Sequence, residues 1–260
     1  LKEPGKSAQS KSYMWLYRTG GDAEHPIVLY DYRPDRKAKN AEEFLEGFSG
    51  YLHADGYQGY HKLRPDIRVV GCWAHARRKF DEAVKSLPKK EQAGCTALEG
   101  QAFCTKLFAI EAEIQDLSLE EKRKQRQGRA KPVLDALFSW AEEKRKVTPP
   151  KSALGKALHY LKEQRPYLVR YLEDGRLEIS NNRAERSIKP FVMGRKNWLF
   201  ANTPAGARAS AVIYSLMETA KETGLDPYKY LLWALREAPK LFETDREWAK
   251  KLTPEHCIQH

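Results

Sequence analysis

The chain has 260 residues, of which 41% are hydrophobic, so it can bury a core as one large domain or as a core domain with an insertion. Its four cysteines include no CxxC pair, which argues against a disulfide scaffold and favours a reducing compartment. No run of about 18 apolar residues occurs, which argues against a transmembrane helix. The net charge of +11 favours a polyanionic partner such as DNA or RNA, although an ordinary protein with many surface lysines would carry the same excess.

The first 87 residues alternate between strand and helix signals. Aromatic and β-branched runs favour strands, the first two of which pair as a hairpin, and an Asn cap and helical spacing favour helices. The predicted elements are strands at 12–18, 27–30, 51–54 and 67–71 and helices at 40–48 and 72–87. Their order is typical of an α/β fold with a mixed sheet.

Residues 88–174 have almost no strand signal. Apolar residues recur there at three- and four-residue steps, interrupted by the charged run Glu120–Lys131 and by Thr148–Pro150. A further helical stretch covers Ser152–Leu172, with Pro166 as a break or kink. We therefore predict an all-helical insertion over residues 88–174, between a first part at 1–87 and a second part of the same domain at 175–238.

The last third of the chain again predicts compact structure. A helix begins within Ser180–Ile188, a helix of small residues covers Pro204–Thr223 and ends at Gly224, and another helix covers Pro227–Glu237. The segment 239–260 is highly polar, and we expect it to be loosely packed.

Asp55 ends the apolar stretch Tyr51–Ala54 and precedes Gly56. A carboxylate at the carboxyl end of a strand lies where α/β sheets bind ligands, and the glycine allows a sharp turn behind it. Magnesium prefers such carboxylate oxygens. The alternative is an Asp-Gly turn that only reverses the chain.

Glu185 lies in a strongly basic segment. Between residues 176 and 211 seven basic residues are opposed only by Glu178 and Glu185. An acid within such a surface suits a metal ligand beside a phosphate track. It equally suits a capping box with Asn182 as the cap, or a surface ion pair of little energetic value.

Two further segments combine cations with aromatic residues. Gly194–Trp198 could grip phosphates and stack on an unpaired base, or could form a turn before a core tryptophan. At the start of the predicted helix 72–87, Arg77, Arg78 and Lys79 suit a phosphate-facing patch or a solvated helical turn. His75 suits either a neighbour of an active site or a helix residue whose hydrogen bonds are satisfied within the fold. With Cys72 it would form only half of a zinc site.

Four segments together resemble DDE transposases of the insertion-sequence-66 class, and their order and spacing match across nearly the whole chain. They are Leu52–Tyr60, Gly71–Phe80, Asn181–Arg186 and Gly194–Trp198. The resemblance implies an RNase-H-like catalytic domain, that is, a mixed sheet flanked by helices, with a helical insertion before the last acid.

The resemblance also implies roles for particular residues. Asp55 matches the second catalytic aspartate and Glu185 the glutamate, and both would be ligands of two Mg²⁺ (or Mn²⁺) ions in the full enzyme. The first aspartate belongs to an Asp-Glu-Thr-Pro motif on the first strand, which we expect upstream of Leu1; Asp31 is a conceivable substitute. The residues expected to contact DNA are Arg77, Arg78, Lys79, Arg183, Arg186, Lys189, Arg195, Lys196, Asn197 and Trp198, with His75 as a possible active-site neighbour.

The implied activity is DNA strand cleavage and strand transfer during transposition. The implied partners are DNA, as transposon ends and target, and further copies of the protein in a transpososome, with no membrane involved and a location at the bacterial nucleoid in the cytoplasm. Without the first aspartate the chain alone would be inactive. Two alternatives stay open: a DNA-binding remnant that no longer reacts, and a related RNase-H-like nuclease or resolvase.

Overall fold

The structure is a computed structural model that describes residues 5, 7, 10–197, 201 and 203–257, with the side chains of 195–197 outside the description. The chain divides into two compact units. One comprises Leu1–Asn40 and Arg183–His260, and we call it the terminal unit; the other comprises Ala41–Asn182, and we call it the central unit. The predicted boundaries at residues 87, 174 and 238 stay a prediction.

Four strands and eleven α-helices are formed in the part of the chain that the structure describes. The strands are β1 (Tyr13–Arg18), β2 (Val28–Arg33), β3 (Gly50–His53) and β4 (Ile67–Val70). The helices are α1 (Ala38–Phe44), α2 (Trp73–Lys85), α3 (Lys89–Gln92), α4 (Thr96–Glu113), α5 (Leu119–Gln125), α6 (Lys131–Val147), α7 (Ala153–Leu168), α8 (Asn182–Asn197), α9 (Pro204–Glu222), α10 (Pro227–Thr244) and α11 (Trp248–Lys251). Short 3₁₀ turns at Gln58–Lys62, Val169–Leu172 and Pro254–His256 and a π-helix at Arg126–Ala130 complete the order.

The strands form two sheets of two strands each. β1 and β2 pair antiparallel from Tyr13↔Arg33 to Arg18↔Val28, which confirms the predicted hairpin. β3 and β4 pair in parallel from Gly50↔Ile67 to His53↔Val70. The prediction of a mixed α/β fold is thus confirmed at the level of its elements, which are mostly helices with small sheets.

In the central unit, β4 and α2 share one hydrophobic core with the helices of the predicted insertion. Val70, Trp73 and Phe80 are fully buried among residues of α4, α6 and α7. The Trp73 indole donates a hydrogen bond of 2.9 Å to the Leu168 carbonyl, so the polar atom of this large core side chain is satisfied. The helices between residues 88 and 174 therefore complete the core of this unit.

A buried arginine connects the insertion to the chain that leaves it. Arg126 is 3% exposed and forms a bidentate pair with Glu111, with distances of 2.9 Å and 2.7 Å. Its remaining N–H groups donate to the carbonyls of Tyr171, Asp174 and Leu177, each at 2.8–2.9 Å. All five donors of the guanidinium are thus used, which is the condition for keeping this charge out of water.

In the terminal unit, the small-residue helix α9 covers the outer edge of β2. The backbone amides of Val28 and Tyr30 donate to the hydroxyls of Thr219 at 3.0 Å and Ser215 at 2.8 Å. Unpaired strand edges invite pairing with other chains, and these hydroxyls occupy that edge. Small residues on α9 allow the helix to approach the strand closely enough for these bonds.

Residues 239–257 belong to the segment that we expect to be loosely packed, and they are mostly exposed, although they include helical turns and a contact with α10. α10 continues through Pro239 to Thr244, and the Tyr230 hydroxyl donates to the Leu252 carbonyl at 2.7 Å. Leu252 itself is 7% exposed. The tail is thus polar and largely exposed, and the bond between the Tyr230 hydroxyl and the Leu252 carbonyl attaches it to α10.

Candidate functional site

The carboxyl end of β3 places Asp55 in a tight turn of the central unit. The Ala54 amide still donates to the Val70 carbonyl at 2.9 Å, so the pairing of the parallel strands extends one residue beyond His53. The half-buried Asp55 then accepts a hydrogen bond from the Tyr57 amide at 3.1 Å through Oδ1, as in an Asx turn. Asp55 therefore both follows the end of a strand and forms a turn, as the two interpretations of the sequence predict. The two interpretations do not exclude each other.

Helix α7 forms the wall behind this turn. A Cβ atom on Gly56 would come within 2.9 Å of the ring and hydroxyl of Tyr160 and 3.2 Å of the Gln164 amide carbon, so a larger residue here would have to displace these side chains. Further along, the rings of Tyr167 and His61 stack with centroids 4.0 Å apart. The predicted insertion thus packs directly on the loop that carries Asp55.

The segment that precedes Glu185 in sequence runs along the start of α2. The Trp73 amide donates to the Ile179 carbonyl at 3.0 Å, and the Asn181 amide lies 3.4 Å from the Cys72 sulfur. The Asn181 Oδ1 atom is buried and has no hydrogen-bond partner among the described residues. Two of the four sequence segments that carry the resemblance therefore meet where β4 enters α2.

His53 and His75 occupy the same region. The His53 Nε2 lies 3.0 Å from the Gly71 carbonyl, and burial lowers the pKa of His53 to about 4 despite the opposing effect of Glu178. At neutral pH this ring is uncharged and donates to Gly71. His75 also lowers the pKa of His53, so the predicted active-site neighbour lies within electrostatic range of this strand end. Its role stays a prediction.

Glu185 lies in the first turn of α8, in the terminal unit, as the sequence indicates. A buried arginine on β1 holds the start of this helix. Arg18, whose side chain is 5% exposed, donates to Ser187 at 2.6 Å and to both carboxylate oxygens of Glu222 at 3.0 Å and 2.8 Å. The hydrogen bond from Arg18 is the main reason that the pKa of Glu222 lies below its ordinary value.

The residues predicted to contact DNA are distributed over both units. Arg77 and Arg78 are exposed on α2, and Lys79 forms an ion pair with Glu82 at 3.0 Å. On α8, Arg186 and Lys189 are exposed, whereas an Arg183 Nη1 lies 3.7 Å from Glu222. The backbone of Arg195, Lys196 and Asn197 belongs to α8, and Trp198 lies outside the described residues.

Sequence reasoning missed the supporting residues Tyr160 and Gln164 on α7 and the pair Arg18–Glu222. These side chains lie in no recognisable motif, and they are more than 100 residues in sequence from what they support. The one available signal was Gly56, since a glycine after a strand end indicates close approach of another group.

Residues 1–209 match the family profile described as the Transposase IS66 family. The chain belongs to this family. The matched range contains both the Asp55 turn and the first turn of α8. Within the part of the IS66 family chain that the structure describes, no helix is long and apolar enough to cross a membrane.

Curated relatives of this IS66 family chain occur in Sinorhizobium fredii (strain NBRC 101917 / NGR234). The uncharacterized protein y4qI is 33% identical over an alignment of 243 residues, and the match covers 88% of this chain and 44% of the relative. The uncharacterized protein y4jD is 33% identical over 241 residues (88% and 46%), and the uncharacterized protein y4hP is 30% identical over 235 residues (84% and 43%). The chain thus spans less than half the length of these relatives. No solved structure matches it.

Proposed function

We propose that the chain is the catalytic core of a DDE-type DNA transposase, which cleaves DNA strands and transfers them to a target. The observation that carries this proposal is the position of Asp55, at the carboxyl end of a parallel strand pair in an IS66 family chain. Active groups of α/β folds gather at that end of the sheet. Glu185, in the first turn of a helix with exposed Arg186 and Lys189, supplies the second acid.

The proposed fold is an RNase-H-like sheet, which requires more pairing than the two strand pairs provide. Among the described residues β1 pairs only with β2 and β3 only with β4, while α9 occupies the outer edge of β2. Parallel strands rarely stand as an isolated pair, so β3 favours a further neighbour. We propose that a strand preceding Leu1 supplies it.

The same strand would carry the first aspartate of the catalytic set. In the described ranges no three His, Cys, Asp or Glu side chains are arranged to hold a metal ion. Asp31, the conceivable substitute, lies inside β2 and pairs with Arg33 at 2.6 Å, which argues against that role.

The oxygen chemistry of this part of the central unit suits a hard divalent cation. Asp55 offers carboxylate oxygens after the end of β3, and Asn181, whose amide lies 3.4 Å from the Cys72 sulfur, has a buried Oδ1 without a partner among the described residues. Mg²⁺ and Mn²⁺ prefer such oxygen ligands. When bound, two such ions supply an activated water or 3′-hydroxyl and stabilise the leaving oxygen.

The residues of the chain itself would position the DNA. Arg77 and Arg78 on α2 and Arg186 and Lys189 on α8 are exposed cations that neutralise backbone phosphates. Self-association in a transpososome and a location at the nucleoid belong to the same proposal.

The test measures Mg²⁺- or Mn²⁺-dependent cleavage of DNA that carries the ends of the element, by the full natural protein. Asp55→Asn and Glu185→Gln should each lower the cleavage rate by about 10³-fold or more, since a catalytic metal supplies several kcal/mol. Asp66→Asn is the matched control, because Asp66 lies at the opposite end of the β3–β4 pair and its exposed side chain forms an ion pair with Arg64 at 3.6 Å. Unchanged cleavage by Asp55→Asn would refute the assignment.

A second function is favoured by the lack of a three-ligand group in the described residues, namely DNA binding without reaction. It predicts salt-dependent DNA binding that Glu185→Gln leaves unchanged, with no nicking by the natural protein. Cleavage without joining of a 3′-hydroxyl end to a target would instead indicate a nuclease or resolvase.

A further inference from the structure

The hydroxyl of Tyr160 is buried and has no hydrogen-bond partner among the described residues. Buried polar groups are nearly always paired, so an unpaired hydroxyl calls for an explanation. Tyr160 lies on α7, inside the predicted helical insertion, and no sequence motif marks it. The hydroxyl of Tyr171, in the same unit, is also buried and unpaired in the described structure, which makes it a natural comparison.

The Tyr160 hydroxyl lies against the turn that carries Asp55. A Cβ atom placed on Gly56 would be 2.9 Å from this oxygen, so the phenol lies directly against Gly56, the residue that follows Asp55. A tyrosine hydroxyl has an ordinary pKa near 10, so this group is a hydrogen-bond donor at neutral pH. Asp55 uses Oδ1 for the local bond to the Tyr57 amide, and a carboxylate has further acceptor sites.

We propose that Tyr160 is a positioning residue that donates a hydrogen bond to the Asp55 carboxylate when Asp55 holds a divalent cation. The proposal rests on the proposed function of Asp55. Carboxylates that bind metals are themselves held by hydrogen bonds, and loss of such a bond typically weakens metal binding about 10–100-fold. The unpaired donor is then poised for a bond that the cation-bound state completes.

The experiment measures Mn²⁺ binding by isothermal titration calorimetry and the thermal unfolding midpoint, both in the full natural protein. Tyr160→Phe removes only the hydroxyl. It should raise the dissociation constant for Mn²⁺ about 10-fold while leaving the midpoint unchanged or slightly higher, because no partner in the fold is lost. Tyr171→Phe should leave both quantities as in the natural protein, and Asp55→Asn should abolish the binding.

Several outcomes would overturn the proposal. If Asp55→Asn abolishes Mn²⁺ binding and Tyr160→Phe binds like the natural protein, the role of Tyr160 is refuted and the function of Asp55 stands. If Tyr160→Phe lowers the unfolding midpoint more than Tyr171→Phe does, the hydroxyl serves the fold instead. If the natural protein binds no Mn²⁺, or Asp55→Asn binds as well as it does, both the role of Tyr160 and the metal site at Asp55 fail.

Discussion

Replacing Arg126 by alanine should destabilise the central unit by about 3–5 kcal/mol, the usual cost of removing one partner from a buried ion pair. The guanidinium is 3% exposed and its five N–H groups all donate, two to the Glu111 carboxylate and three to backbone carbonyls. Alanine would leave the Glu111 carboxylate, which is only 13% exposed, without its counterion. Arg126→Lys keeps the charge but offers only three donors, so it loses at least two hydrogen bonds and should cost about 2 kcal/mol.

The assay is urea unfolding followed by circular dichroism, with the free energy of unfolding compared between variants. The matched control is Arg129→Ala, in the same π-helix, because Arg129 forms an ion pair with Glu113 at the surface. That pair is exposed, with side chains 42% and 59% accessible, and its loss should cost less than about 1 kcal/mol. If Arg126→Ala destabilises the protein no more than Arg129→Ala does, the argument from burial and donor satisfaction is wrong.

Two further predictions concern other parts of the chain. Arg18, and then Arg183 and Arg186, lower the pKa of Glu222 below its ordinary value of 4.5 in the folded protein. The contribution of ionised Glu222 to stability is therefore complete above pH 4.5 and is lost as the pH falls through the lower folded-state pKa. Urea unfolding between pH 7 and pH 3 should therefore show a flatter acid slope in Glu222→Gln, and an unaltered slope would contradict this. Gly155→Ala would place Cβ 2.2 Å from the Pro149 carbonyl oxygen and should destabilise the protein by about 1–3 kcal/mol. As a control, a Cβ atom on Gly128 meets no atom within 4 Å, so Gly128→Ala should be neutral or stabilising. Equal unfolding midpoints for the two alanine variants would refute the predicted clash at Gly155.

The sequence predicted the elements around Asp55 because each of them rests on local signals. A short apolar run followed by Asp-Gly marks the strand end, and the structure has β3 ending at His53. Of the break or kink predicted at Pro166, the break did not occur, since α7 continues to Leu168. Its missing N–H affects only the last turn of that helix, so the local preference was outweighed by the burial of Leu168 in the core.

Arg126 shows why the rest could not be predicted. In sequence it lies within the run Glu120–Lys131, where every neighbour suggests a solvated helix face. Its partners are 15 to 51 residues away, and only the fold brings their carbonyls and carboxylate together. The same holds for Tyr160, whose position against Gly56 depends on packing between a helix and a loop about 100 residues apart.

The insertion therefore affects the candidate site as well as the core. Its helix α7 contacts the Asp55 turn through Tyr160 and Gln164, and the Tyr167 carbonyl accepts the Gly71 amide at 3.0 Å where β4 ends. Arg126 fixes the chain from Tyr171 to Leu177, directly before Ile179 pairs with Trp73. Changes within residues 88–174 that leave both acids untouched should thus alter how Asp55 is held, because the same helices that complete the core also support the turn.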